Sequence, residues 1–448
     1  MTRHRRARTL AATATAAAGL LLAACATDQA EDGASDPAAA DAGDDMADME
    51  EADADGADET DRTDGEQTAS ESELAVDVDS SGDPYADAKG AADHVTHGAR
   101  TLAGGVVAAA GFDGDVDSTS AEIRAGLTQL LQEHVYLAGF AVDAAYDVGP
   151  DSAEFGLAAD ALDENSVALA DTVGSVAGEE HREAFLSLWR DHIGFFVDYA
   201  IAEAEGDEDA KQQARADLEG YTGDAGAFFE DITGGELPAG AVADSLRGHI
   251  DTLTEAIDGL AAGDADAFDA LKGAADHVVA GAAVLAGGIA AASDADGDPD
   301  SQASQFRAGL TAALQEHVYL AGLAVKTAYA QGPDSPAFEA AVGTLDRNSV
   351  ELADGIGQVA GEEQREAFLG LWRDHIDFFV DYAVATAGDD EQGRTRAVAE
   401  LAGYTGDAGA FFEDVTGGEL PADAVAESLR GHISTLAGAI DSLDAAIN

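Results

Sequence analysis

Cysteine is nearly absent from this 448-residue chain. Cys25 is the only one, so neither a disulfide framework nor a thiolate metal site can form within it. Basic side chains are scarce as well, 22 against 89 acidic, for a net charge of −67. Such a chain would be repelled by phosphate, which excludes nucleic acid as a partner and argues against anionic lipid surfaces. Its self-repulsion calls for strong screening, as in a salty, halophilic setting. Strand signals are missing. So are the signatures of common catalysts: there is no Gly-x-Ser-x-Gly, His-Glu-x-x-His, phosphate-binding glycine loop or dinucleotide fingerprint.

What is present begins with an export signal over residues 1–24. Arg3, Arg5, Arg6 and Arg8 form a basic start, and an apolar run follows from Ala11 to Ala24. The run ends in Leu22-Ala23-Ala24-Cys25, which resembles a bacterial lipobox. That resemblance implies lipidation of Cys25, a membrane anchor there, and a place on the outer face of the cytoplasmic membrane. No other segment reads as long and apolar enough to span a bilayer. Residues 25–83 are mostly Asp, Glu, Ala, Gly and Ser with little to bury, and predict a disordered, extended acidic tether.

From Pro84 the chain is a tandem repeat. Gln132-Glu133-His134-Val135-Tyr136-Leu137-Ala138-Gly139 returns unchanged as Gln315 to Gly322, and an offset of 183 (317 − 134) aligns nearly everything from about Asp87 to the end. Apolar residues recur at helical spacing, broken at Gly, Pro and Asp-rich points. The first copy divides into helical segments at about 84–110, 119–148, 152–177, 179–205, 207–233 and 238–261. The expected fold is all-α: two tandem antiparallel bundles of about six helices, over 84–265 and 266–448. An acidic loop, Asp113-Gly114-Asp115-Val116-Asp117, recurs as Asp296 to Asp300. Arg124 and Arg307 stand where an EF-hand needs Glu, so the loop reads as a solvated turn.

Histidines carry the candidate chemistry. Eight form four duplicated pairs: His94/His277, His134/His317, His192/His375 and His249/His432. Each lies on an apolar stripe near the middle of its segment. Midpoints of antiparallel helices meet, so each copy predicts a layer of four histidines. Asn165/Asn348 and Tyr221/Tyr404 obey the same rule, and Glu133 and Glu316 could support the imidazoles from behind. Such a layer could bind copper, zinc or iron, or ligate haem b. It could equally be a buried hydrogen-bond network that fixes packing in a structural or interaction module of the cell envelope, with a protein partner there. A small-ligand pocket is the third reading, with the recurring arginines as anion clamps or, more simply, ion-pair partners. Gly248 and Gly431, beside His249 and His432, cost about 1 kcal/mol each inside a helix, which implies a close approach or a bound group.

The phrases Glu-His-Val-Tyr-Leu-Ala-Gly (133–139), Leu-Asp-Glu-Asn-Ser-Val (162–167) and Leu-Trp-Arg-Asp-His-Ile (188–193) resemble those of uncharacterised secreted bacterial tandem helical-bundle proteins. Some of these are named after an appended copper amine oxidase N-terminal-like domain. The resemblance covers both repeats and implies a secreted all-α protein. The appended domain and the Thr-x-x-Asn-Tyr cofactor motif of true amine oxidases are both missing here, so oxidase chemistry is not implied.

Overall fold

A computed structural model describes residue 78 and residues 80–447. The signal over 1–24, Cys25 with its lipidation, and nearly all of the tether over 25–83 lie outside the described residues.

Twelve helices and no strand occur among the described residues: α1 (Pro84–Ala110), α2 (Thr119–Val148), α3 (Ala153–Ala177), α4 (Glu179–Glu205), α5 (Glu208–Ile232), α6 (Ala239–Ala262), α7 (Ala267–Ala292), α8 (Gln302–Gln331), α9 (Pro336–Ala360), α10 (Glu362–Ala387), α11 (Glu391–Val415) and α12 (Ala422–Ile447). The boundaries follow from local chemistry. Asp83, Ser118, Ser152 and Asp207 each accept a hydrogen bond from the first turn of the helix they precede. Gly111, Gly206 and Gly263 close α1, α4 and α6 in the left-handed conformation that a side chain would resist.

Helices α2 to α7 form a closed ring in which each packs on its neighbours in sequence and α7 returns to α2. Helices α8 to α12 form a second ring, closed not by α7 but by α1, which packs between α12 and α8. The sequence repeat and the packing unit therefore differ by one helix. Bundle I is α2–α7; bundle II is α8–α12 completed by α1, whereas the repeat boundaries would have placed α1 with α2. Helices α1 and α2 barely touch each other. The loops between them explain why. Ser120 N–H donates to Asp296 O (3.0 Å) and Ala303 N–H to Asp113 O (2.9 Å), so each acidic loop is tied to the helix start of the other repeat. Arg124 adds bonds to Pro299 O and Asp300, both 2.7 Å. The recurrent aspartates thus sit in reciprocal turn contacts.

α7 meets the length and hydropathy of a bilayer span, with mean hydropathy 1.5 over its best window, contrary to the sequence expectation that no segment past the signal does. Its apolar character serves burial: Leu271, Ala274, Ala275, Ala282 and Ala286 are at most 1 % exposed, against α2 and α6.

The bundles share a seam along α2 and α8, where the repeats meet reciprocally, as a two-fold relation requires. Tyr136 and Tyr319 stack with centroids 5.2 Å apart. Tyr136 OH donates to Glu316 (3.0 Å) and Tyr319 OH to Glu133 (3.2 Å). One duplicated position breaks the symmetry: Asp143 in the first copy is Lys326 in the second, and the two are paired across the seam. Identical residues there would set like charges against each other, so the exchange favours pairing of unlike copies.

Candidate metal centre

In each ring the alternate helices carry the central histidines. Helices α2, α4 and α6 touch one another inside the ring of bundle I, and they bring His134, His192 and His249 together. One nitrogen of each lies within 4.8 Å of the other two. Bundle II repeats the set with His317, His375 and His432. The copies agree closely: the first and second rings of each set stand 5.3 and 5.2 Å apart, the first and third 6.0 Å in both.

All six are buried. Burial holds His192, His317 and His432 down to about 3 and His249 to about 4, and lowers His134 and His375 well below the ordinary range. Neighbouring imidazoles add to the depression at five of the six. Every ring is therefore neutral at physiological pH, the form that can donate a lone pair to a metal. Their hydrogen bonding is poor. Nine of the twelve imidazole nitrogens have no partner: both of His134, His249 and His432, and Nδ1 of His192, His317 and His375. The one contact between rings is His375 Nε2 to His317 Nε2 at 3.3 Å. Two ligands at ~2.0–2.1 Å from a tetrahedral ion stand roughly 3.3–3.4 Å apart, so this pair already has a ligand spacing.

Tyr221 and Tyr404 join the layer as expected, stacked on His192 and His375 at 4.8 and 4.9 Å. Burial raises both phenols above the usual range. Trp189 and Trp372, overlooked in the sequence, also belong: each packs on the histidine one turn later (4.4 Å) and on the histidine of α2 or α8 (4.8 Å). Their three-residue spacing from His192 and His375 was the available signal.

Other candidates lie elsewhere. His94 and His277 are not in the triads, and each serves the bundle of the opposite repeat. His277 Nε2 contacts Ser245 O and His94 Nε2 contacts Ser428 O, both at 2.9 Å. Their rings lie on Gly248 and Gly431, where an added Cβ would stand 2.3 and 2.2 Å from Cε1. Those glycines are therefore explained by a close approach; three of the four expected histidines converge in each bundle, while the fourth lies near His249 or His432 without joining the convergent set. Asn165 and Asn348 turn away as well. Asn165 donates to Leu130 O (2.9 Å) and Glu133 (3.0 Å), Asn348 to Ala313 O (3.0 Å) and Glu316 (2.9 Å). Glu133 and Glu316 thus support the seam and not the imidazoles. Burial raises both carboxyls to about 7, against the pull of Lys89 and Lys272. The recurring arginines make ion pairs: Arg190 with Asp163 at 2.7 Å, Arg373 with Asp346 at 2.8 Å, Arg247 with Asp244 at 2.6 Å.

Each site is thus a three-imidazole cluster in an aromatic and aliphatic shell, with no carboxylate among the described residues hydrogen-bonded to a triad ring. Compared with known protein families, with curated proteins and with solved structures, the chain matches none.

Proposed function

We propose that the protein is an extracytoplasmic, lipid-anchored lipoprotein that binds one transition-metal ion per bundle through His134, His192 and His249 and through His317, His375 and His432. The observation that carries this reading is the set of nine partnerless imidazole nitrogens, duplicated in two bundles at matching geometry. A buried polar atom without a partner costs about 1–3 kcal/mol. A network kept only for packing would be expected to satisfy its members, since a half-satisfied one is worse than an apolar core. A shared ion would satisfy one nitrogen on each ring at once.

Three neutral imidazoles suit copper, zinc or iron, and leave a coordination position open. Haem b is supported less well. Ligation of its iron by two of these imidazoles would need them about 4 Å apart, on either side of a macrocycle, each about 2 Å from the iron. In bundle II they meet at 3.3 Å, with Trp372, Tyr404 and a third imidazole packed around them. Storage, scavenging or sensing of the ion fits a site with no attached acid–base residue. The test is a titration of metal-free protein with zinc, then copper(I) and iron(II), read by calorimetry and by the unfolding midpoint. Binding of two equivalents, with stabilisation that disappears in His192→Ala/His375→Ala, supports the proposal. Absence of binding with all three ions overturns it and leaves the triads as architecture.

A further inference from the structure

The histidine layer of bundle I lies between two apolar chambers. His134 lines both. The larger, of about 260 Å³, runs from the imidazole toward the end of the bundle where α2, α4 and α6 finish and α3 and α7 begin. Its inner wall includes Phe196, Ala200, Ala256 and Leu271. Ile201, 43 % exposed, and Glu205 stand where α4 ends and the chamber reaches solvent. In a chain of net charge −67, the only ionisable side chains lining it are His134, Tyr146 and Glu205. Tyr146 is committed, its hydroxyl donating to Ala200 O at 3.0 Å.

The dimensions and the lining select a ligand class. A cavity of about 150 Å³ lined by Leu, Ile and Phe stays dry and takes up benzene. The present chamber is larger, equally apolar, and small-walled because alanines occupy the positions facing it. Ions and sugars would forfeit their hydration here without recovering hydrogen bonds. We infer that this chamber is a binding site for a small uncharged apolar molecule, a monocyclic aromatic or a short alkyl chain, held with one end against the His134 imidazole.

The chamber exists without a metal, so the inference does not rest on the metal reading. Where an ion is bound, the ligand lies beside it, and the open coordination position gains an apolar antechamber.

Toluene is the probe, titrated into metal-free full-length protein, with calorimetry and the shift in unfolding temperature as readouts. Expected are saturable uptake and a raised unfolding temperature, both lost in Ala200→Leu, whose added carbons occupy the space. That variant should be at least as stable as the parent, because it fills a cavity instead of straining a packed core. Ala256→Leu, from a different helix, makes the same test if the first variant does not fold. No saturable uptake, uptake that persists in both filled variants, or loss of stability in both on filling would each overturn the inference. Because metal is absent throughout, toluene uptake without metal binding would sink only the metal proposal, and the reverse result would sink only this one.

Discussion

Replacing a helical glycine by alanine ordinarily stabilises a protein, by roughly 0.5–1 kcal/mol. At Gly248 the sign should reverse. The new Cβ would stand 2.3 Å from His277 Cε1 and 2.6 Å from Nε2, more than an ångström inside van der Waals contact. The imidazole must leave, and its contact with Ser245 O (2.9 Å) goes with it. Overpacking costs about 1–3 kcal/mol and a lost hydrogen bond about 1 kcal/mol. Set against the helical gain, a net loss of about 1–3 kcal/mol remains. Gly223 in α5 is the control: it is exposed and has nothing within 4 Å, so Gly223→Ala should stabilise. The assay is urea unfolding of Gly248→Ala, Gly223→Ala, His277→Ala and the double variant Gly248→Ala/His277→Ala. The account requires that removing the imidazole relieve most of the Gly248→Ala penalty. If Gly248→Ala stabilises as Gly223→Ala does, or if the double variant shows no coupling, α7 does not press its histidine onto α6 and the closure of bundle I is misassigned.

Acid should weaken the metal-free protein. Ordinary histidines titrate near 6.5 when unfolded, while the triad histidines are held at about 3 to 4 or well below the ordinary range. The unfolded chain therefore binds more protons below pH 6.5, and stability present above that pH is lost as pH falls toward 4. Glu133 and Glu316, raised to about 7, act oppositely, since the folded state holds their protons between about 4.5 and 7. Six histidines outweigh two carboxyls, so urea midpoints should fall from pH 7 to pH 5; a midpoint that rises would refute the burial argument. The closure of bundle II by α1 can be read from tryptophan, because each bundle holds one, Trp189 or Trp372. Deleting residues 84–110 should expose and red-shift Trp372 in a Trp189→Phe background and leave Trp189 unmoved in a Trp372→Phe background; the opposite pattern would restore the repeat as the packing unit.

Many helix boundaries were legible in the sequence because they carry their own chemistry: Ser or Asp caps such as Ser118, Ser152 and Asp207, and closing glycines such as Gly111, Gly206 and Gly263. His134, His192 and His249 were legible for a similar reason, each being on an apolar stripe near mid-helix. Closure of the rings was not. Tyr85 and Phe268, or His94 and His277, suit the same surface on either copy, so an amphipathic stripe cannot say which repeat it covers. That choice is made by contacts at long sequence separation, through Asp113, Asp296 and the pairing of Asp143 with Lys326. Asn165 misled because it is fully buried on its stripe, as expected, yet its amide is taken up on α2 by Leu130 O and Glu133 and not by the imidazoles. The partner there, Tyr319, belongs to the other repeat.

The central claim is that the two triads hold metal. Its most direct measurement is the metal content of the folded chain after equilibration with limiting zinc, copper or iron and exhaustive dialysis, set beside His192→Ala/His375→Ala treated identically. Two ions of one kind per wild-type chain and none in the variant is the predicted result. A wild-type chain that emerges metal-free from all three, or a variant that retains as much as the wild type, would contradict it.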